Sequence, residues 1–148
     1  MSEHPILICY DGSEGSSRAI DAAAALLDRR HVVILDVTPP LTAEEEEAAL
    51  FTPVIPDNID QRVHDVRKIA RRGVQLARAH GLDAEDTVKV AAPTWQGVVD
   101  VADEIDASVV VVGSRGLHGL RATIEGSLSH DLAEHLGRPL LIVPPAKK

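Results

Sequence analysis

The sequence predicts one α/β domain built on a parallel, doubly wound sheet, and three observations carry that prediction. A chain of 148 residues has the usual size of a single domain. Apolar residues make up 45% and charged residues 26%, which are ordinary proportions for a globular protein. Short apolar runs without polar alternation recur between stretches of helical periodicity, and strands that alternate with helices form sheets covered on both faces.

The chain begins with a predicted strand, helix and strand. The apolar run at residues 6–10 predicts strand one, which ends at Asp11. Residues 19–27 then repeat apolar side chains at steps of three and four, the spacing of a helix that buries one face. A second apolar run at residues 31–37 predicts strand two, and the proline pair that follows stops it.

A long connection precedes the longest predicted helix. Within residues 38–57, Thr42 and Glu45 fit a capping box, which predicts one short helix. The glutamate run that follows Thr42 is interpreted as a solvated face. Residues 58–80 repeat apolar side chains four and three apart and predict a long helix, with Gly81 as its C-cap.

The second half of the chain continues the alternation. Residues 87–91 predict a short third strand, and Thr94 is predicted to cap a helix that ends near Ile105. Residues 108–112 give the strongest strand signal, because four consecutive valines resist helix formation and suit a central strand. After a glycine-containing loop, a last helix and a last strand at residues 139–143 complete the order β-α-β-loop-α-β-α-β-α-β.

Composition narrows the classes of function. Lys and Arg number 15 against 23 Asp and Glu, so the net charge is −8, and no local basic stripe is recognised in the sequence. A role in binding nucleic acid is therefore disfavoured. The single cysteine, Cys9, excludes an intrachain disulfide and a CxxC motif. No apolar run is long enough to span a membrane and no secretory signal is recognised, so we expect a cytoplasmic protein with no membrane partner.

No catalytic centre is recognised in the sequence. A GxSxG elbow is absent. Ser129 is next to His130, but consecutive helix residues point about 100° apart. His130 and His135 lie five positions apart, a poor spacing for two metal ligands on one helix face. Enzymatic activity is left open only as slow hydrolysis of a bound nucleotide.

The loop after the fourth strand is the most informative segment. In doubly wound sheets, ligands bind outside the carboxyl ends of the strands, which singles out this loop and the one that begins at Asp11. The fourth-strand loop begins at Gly113 and continues through Gly116, and Gly126 and Ser127 open the last helix. Glycine lets backbone N–H groups approach a ligand, and the free N–H groups at a helix start match phosphate oxygens. The alternative is that the glycines only build a tight turn and a helix cap.

The spacing of this loop carries a resemblance to a known family. The pattern is Gly113-x2-Gly116-x9-Gly126-Ser127. With the segments at 8–14, 106–116 and 138–143, it resembles the ATP-binding branch of the universal stress protein family, over nearly the whole chain. The resemblance implies one domain over residues 1–148 with a Rossmann-like, adenine nucleotide alpha hydrolase-like fold. It also implies five parallel strands in the order 3-2-1-4-5.

The resemblance implies that ATP, with or without Mg²⁺, is bound by residues from several elements. Asp11 is similar to an acid beside the nucleoside and phosphates, with Cys9 and Tyr10 at the pocket wall, and Val37 is similar to a residue that contacts adenine. The residues implied at the ribose and the phosphates are Val112, Gly113, Arg115, Gly116, Gly126, Ser127, Leu128 and Ser129.

Two departures from the family pattern concern the adenine side. Asp36 stands where many relatives carry histidine, and Trp95 belongs to a turn that replaces a small glycine-containing one. Trp95 lies near the nucleotide or plugs a surface groove, and the plug is the favoured interpretation.

The resemblance further implies a homodimer formed through the last strand, which starts at Pro139 and ends at Val143. The predicted function is that of a nucleotide-dependent regulator in a stress response, with a regulatory partner that the sequence does not name. A weak ATPase and a nucleotide-independent dimeric scaffold are the alternatives. A flavin-binding electron carrier is disfavoured because the sequence has only three aromatic residues of the Phe, Trp and Tyr types.

Overall fold

The computed structural model describes residues 4–28, 30–50, 58–114 and 128–146, with the side chains of residues 48–50 and 58–60 outside the description. Five parallel strands form one sheet in the order β3-β2-β1-β4-β5. The strands are β1 (Ile6–Cys9), β2 (Val32–Thr38), β3 (Ala84–Val90), β4 (Val109–Gly113) and β5 (Leu140–Val143). The helices are α1 (Glu14–Leu26), α2 (Ala43–Leu50), α3 (Asn58–Ala79), α4 (Thr94–Ile105) and α5 (Leu128–His135). The predicted fold class and strand order are confirmed.

A separate apolar layer covers each face of the sheet. Successive strand residues point to opposite faces, so Ile8 of β1 packs in the layer under α1 and α3, whereas Leu7 packs in the layer under α4 and α5. Every residue of β1 and β2 is buried. These strands are apolar without alternation because helices cover both of their faces.

The central strand fixes which loops are neighbours. β1 pairs with β2 on one side, with Cys9 opposite Leu35, and with β4 on the other, with Ile8 opposite Val111. All strands are parallel, so their carboxyl ends lie at one edge of the sheet. The chain winds in opposite directions on the two sides of β1, and this edge is therefore where a ligand is expected.

Helix ends agree with the sequence at two positions. The Thr42 backbone N–H donates to Glu45 Oε1 at 3.0 Å and the Glu45 N–H donates to Thr42 Oγ1 at 3.1 Å, which confirms the capping box. Gly81, two positions after the last residue of α3, has a φ of +84°. The Leu82 N–H then donates to the carbonyl oxygen of Ala77 at 3.0 Å, which closes the helix in the manner of a Schellman motif.

The predicted cap at Thr94 is wrong. Thr94 is the first residue of α4, and Pro93 is the N-cap residue, without a side-chain hydrogen bond. The proline ring fixes φ near the value that an N-cap needs, and Pro93 has a φ of −69° and a ψ of 164°. The backbone of Pro93 therefore starts the helix without a hydroxyl.

The third strand begins three residues earlier than predicted, at Ala84 instead of residue 87. Glu85 and Asp86 pair with β2 in the parallel register although both are acidic. β3 is at the edge of the sheet and most of its side chains are only partly buried, so charged residues are tolerated there. Asp86 also forms an ion pair with Arg67 of α3, with 3.2 Å between Oδ2 and Nη1.

A small cluster of cations that the sequence analysis does not name lies on α3. Lys68, Arg71 and Arg72 lie within little more than one turn of α3, and all three are exposed. The net charge of −8 does not reveal this cluster because it sums the charges of the whole chain. None of the helices that the structure describes combines the length and the apolar character needed to cross a membrane.

Candidate functional site

The loop after β1 is built around Asp11. The Ser13 backbone N–H donates to Asp11 Oδ1 at 2.9 Å, and the Ser16 hydroxyl lies 3.0 Å from the same oxygen. The Asp11 N–H in turn donates to Ser16 Oγ at 3.3 Å. Gly12 has a φ of +85°, a backbone conformation that glycine adopts without strain. The turn therefore holds the Asp11 carboxylate beside the first turn of α1.

Ser13 and Ser16 are the residues of this loop that the sequence analysis missed. Ser13 is the N-cap of α1, and its Oγ accepts a hydrogen bond from the Ser16 backbone N–H at 3.2 Å. Ser16 is only 4% exposed, so its hydroxyl is committed to the turn. Its single proton has two acceptors, Asp11 Oδ1 and the Ser13 carbonyl oxygen, each at 3.0 Å. A serine directly before a helical pattern, with a second serine three residues later, is the signal that indicates this arrangement.

Four of the predicted site residues meet in one apolar cluster. Cys9, Val37, Val112 and Leu128 come from β1, β2, β4 and the start of α5, and all belong to the layer under α4 and α5. Their exposed fractions lie between 1% and 5%. The structure thus brings the carboxyl ends of three strands and one helix start to the same side of the sheet.

The side chain of Tyr10 lies on the opposite face. It packs in the layer under α1 and α3 and is 4% exposed. A Cβ atom added to Gly73 of α3 would lie 2.8 Å from Tyr10 Cδ2, so this helix and the tyrosine ring are in close contact. Only the Tyr10 backbone is at the shared edge, where its N–H donates to the carbonyl oxygen of Leu35 at 2.9 Å.

Gly113 is required by packing within the chain. A Cβ atom at this position would lie 3.0 Å from the carbonyl oxygen of Gly15, in the first turn of α1. The end of β4 and the start of α1 therefore approach each other through two glycine backbones. The next residue, Ser114, donates its N–H to the carbonyl oxygen of Val143 at 2.9 Å, which joins the start of the loop to the end of β5.

Cys9 is a buried thiol and not an activated one. Burial raises the pKa of Cys9 far above its ordinary value, and the negative charges of Asp36 and Asp11 raise it further. A thiol that stays protonated at neutral pH is a poor nucleophile. Cys9 therefore contributes to the apolar layer, as a small hydrophobic side chain.

The comparison with protein families agrees with this arrangement. The model of the universal stress protein family matches residues 3–144. The chain belongs to the universal stress protein family. Universal stress protein YxiE of Bacillus subtilis is 30% identical over 144 residues, which cover 93% of this chain and 97% of that protein.

Solved structures of family members share the fold. A universal stress protein in complex with cAMP superposes with a TM-score of 0.66 at 25% identity, over 97% of this chain and 98% of that one. The universal stress protein of Archaeoglobus fulgidus in complex with dAMP gives a TM-score of 0.67 at 21% identity, over 97% and 99% of the two chains.

One departure from the family pattern has a structural role in this universal stress protein. The rings of Trp95 and His135 are stacked, with centroids 4.1 Å apart and planes 12° from parallel. Trp95 also packs against the apolar layer under α4 and α5. The interpretation of Trp95 as a plug stays a prediction.

The phosphate side of the predicted site is only partly described. Leu128 and Ser129 open α5 and are 5% and 7% exposed. The other four predicted residues lie outside the described residues: Arg115, Gly116, Gly126 and Ser127. Within the described ranges, no three His, Cys, Asp or Glu side chains form a group that could hold a metal ion. Mg²⁺ stays a prediction tied to ATP.

Proposed function

We propose that this protein binds an adenine nucleotide, with ATP as the main ligand, at the carboxyl edge of β1, β2 and β4. The observation that carries the proposal is the convergence of the Asp11 turn, Val37, and the end of β4 on one edge of the sheet. This edge is where doubly wound sheets bind ligands. The matched relatives that carry cAMP, dAMP and AMP support an adenine nucleotide.

The proposed roles follow from the chemistry of each group. Val37, near the end of β2, would lie against the base, and the Asp11 carboxylate would accept hydrogen bonds from ribose hydroxyls. Backbone N–H groups after Gly113 and at the start of α5 would bind the phosphates. Because Cys9 and the ring of Tyr10 are buried in the two apolar layers, they would support the site rather than contact the ligand with polar atoms.

The proposed preference for ATP over AMP depends on the loop pattern Gly113-x2-Gly116-x9-Gly126-Ser127 and not on the fold. A triphosphate needs more N–H donors and positive charge than a monophosphate, and Arg115 with Gly116, Gly126 and Ser127 is the segment that would supply them. We infer that nucleotide occupancy regulates a partner or self-association of a cytoplasmic homodimer. A weak ATPase and a nucleotide-independent scaffold are the alternatives.

Isothermal titration calorimetry with ATP, ADP, AMP and cAMP tests the proposal. We expect saturable ATP binding with a Kd below about 1 mM. Replacing Gly116 and Gly126 together by valine should abolish the preference for ATP, because branched side chains block the approach of phosphate oxygens. Circular dichroism confirms that the variant is folded. The proposal would be refuted if none of the four nucleotides bound, or if the folded valine variant bound ATP as tightly as the wild type. Phosphate release, measured on the same samples, distinguishes a nucleotide-binding switch from an ATPase.

A further inference from the structure

The exposed face of α3 carries a cluster of cations, formed by Lys68, Arg71 and Arg72 and called here the α3 basic patch. Residues three and four positions apart lie on the same side of a helix, so the three side chains project from one surface. The opposite side of α3 is buried through Val66, among others, and all three cations are exposed. The patch spans about 6 Å along the helix axis at a rise of 1.5 Å per residue.

The α3 basic patch differs from the other cations of α3 in its contacts with the described part of the chain. The other three arginines of α3 all have partners: Arg62 contacts Glu45 and the carbonyl oxygen of Pro39, Arg67 contacts Asp86, and Arg78 donates to the carbonyl oxygen of Ala84. No hydrogen bond or ion pair joins Lys68, Arg71 or Arg72 to the described part of the chain.

Clustering these cations costs stability. Like charges three and four positions apart on a helix repel each other and destabilise the helix. The sequence has 23 acidic residues, so a neutralising partner on α3 would have been easy to supply. Asp65 also lies on the exposed face of α3, three positions before Lys68, and its Oδ1 accepts a hydrogen bond from Gln61 at 3.0 Å. The patch is thus left open towards solvent.

We propose that the α3 basic patch docks a short acidic segment of a partner protein. Arginine binds carboxylates through two parallel hydrogen bonds, and two of the three residues of the patch are arginines. A segment with two or three carboxylates matches the length of the patch. The proposal does not depend on nucleotide binding.

A nucleic acid fits this surface less well than a short acidic peptide. The run of glutamates on α2 lies beside the start of α3, as the contact between Glu45 and Arg62 shows. A long polyanion that followed α3 would meet these glutamates and a protein with a net charge of −8. Neither of the two described side chains of the Phe, Trp and Tyr types can stack on bases at the patch, because Tyr10 is in the core and Trp95 packs on His135.

The position of the patch also places a partner close to the candidate nucleotide site. On the inner side of α3, Gly73 touches Tyr10, and Ile69 Cγ2 lies 3.3 Å from where a Cβ atom of Gly12 would be. Gly12 follows Asp11, so a partner on the outer side is separated from the Asp11 turn by about one helix diameter, roughly 10 Å.

Fluorescence anisotropy with labelled poly-L-glutamate tests the proposal at low ionic strength. We expect saturable binding by the wild-type protein and an affinity about tenfold weaker in R71Q/R72Q, the loss of about 1.4 kcal/mol. The matched control is K147Q/K148Q, which removes the same charge from the two lysines at the end of the sequence and should bind as the wild type does. R71K/R72K keeps the charge but loses the paired hydrogen bonds of arginine, so its affinity should lie between those of the wild type and R71Q/R72Q.

Three results would overturn the proposal. One is the absence of poly-L-glutamate binding by the wild-type protein. Another is an equal loss of affinity in R71Q/R72Q and K147Q/K148Q, which would show that net charge alone governs binding. The third is that polyuridylate binds more tightly than poly-L-glutamate and depends on Arg71 and Arg72, which would assign the patch to nucleic acid. Circular dichroism and a urea unfolding curve for each variant confirm that the compared proteins are folded.

Discussion

At the scale of single residues, the candidate site depends on a turn that fixes one carboxylate. Asp11 Oδ1 accepts a hydrogen bond from the Ser13 backbone N–H and lies within hydrogen-bond distance of the Ser16 hydroxyl. Ser13 also caps α1. These hydrogen bonds lower the number of orientations that the carboxylate can adopt. A ligand that binds the Asp11 carboxylate therefore meets it already in position, which reduces the entropy lost on binding.

Ser16→Ala should weaken both the turn and nucleotide binding. Removing a buried hydroxyl that serves two partners leaves them without their hydrogen bond, so we expect a loss of about 1–3 kcal/mol in the free energy of unfolding. We also expect weaker ATP binding, measured by calorimetry on the folded variant. The control is Ser17→Ala, one position along the same helix, where no side-chain hydrogen bond is described. If both variants bind ATP equally, Ser16 does not position Asp11.

Glycines show where reasoning from the sequence is incomplete. Gly113 is predicted to admit a phosphate, but its lack of a side chain is already required by the carbonyl oxygen of Gly15. Gly73 belongs to the periodic pattern of α3, yet the sequence does not indicate that a tyrosine ring presses on it. A close approach between two elements depends on their packing distance, which periodicity does not contain.

Gly73→Ala should therefore destabilise the protein although alanine favours helices. Its Cβ atom would lie 2.8 Å from both Tyr10 Cδ2 and Ile34 Cγ2, which forces one of the buried side chains to move. Overpacking of this kind costs about 1–3 kcal/mol, more than the gain of about 1 kcal/mol in helix propensity. The matched control is Gly15→Ala in α1, where the nearest atom is 3.9 Å away, and which should be neutral or stabilising. Urea unfolding measures the free energy of unfolding of both variants. A Gly73→Ala protein as stable as the wild type would contradict the packing argument.

At the scale of elements, the sequence predicts the strands that helices cover on both faces of the sheet. The predicted strands one, two and four agree with β1, β2 and β4 to within one residue at each end, because uninterrupted apolar runs arise only under two covering helices. The start of β3 was not predicted because edge strands tolerate acidic residues such as Glu85. The start of α4 was misassigned because a proline backbone, rather than the Thr94 side chain, caps it.

The entry to β2 and β3 should respond to pH through His31. Its Nδ1 lies 2.9 Å from Asp83 and its Nε2 3.2 Å from Glu85, and the side chain is 19% exposed. Burial opposes protonation, but the hydrogen bonds to the two carboxylates outweigh it, so the pKa of His31 is raised above 6.5. A raised pKa means that the charged ring stabilises the folded state. This contribution is fully present below the pKa of the unfolded chain and is lost as pH rises through the raised pKa.

Urea unfolding of wild type and His31→Gln at about pH 5.5 and about pH 8.5 measures this contribution. The difference in unfolding free energy between the two proteins should be larger at the acidic pH. His64→Gln is the control, because His64 is an exposed histidine of α3 without a described partner. A difference between wild type and His31→Gln that does not change with pH would show that the His31 ring makes no pH-dependent contribution.

At the scale of the whole molecule, topology predicted the location of the candidate site but not its surface. The rule that ligands bind where the winding reverses selects the loops that begin at Asp11 and Gly113, and β1 does lie between β2 and β4. Net charge, by contrast, is a sum over the molecule. It cannot show that three cations without a described partner lie close together on the exposed face of one helix.

The outer edge of β5 is the proposed surface for dimer formation. Among the described strands, β5 pairs only with β4, so its outer edge is free. Ile142 in this strand is 42% exposed, and an apolar strand with a free edge favours pairing with another chain. Ile142→Asp should therefore convert the proposed homodimer to monomers, measured by light scattering after size exclusion. Leu26→Asp is the control, since Leu26 is 70% exposed on α1 and its replacement adds the same charge away from the edge. A monomeric wild-type protein, or an Ile142→Asp protein that stays dimeric, would exclude this strand as the interface.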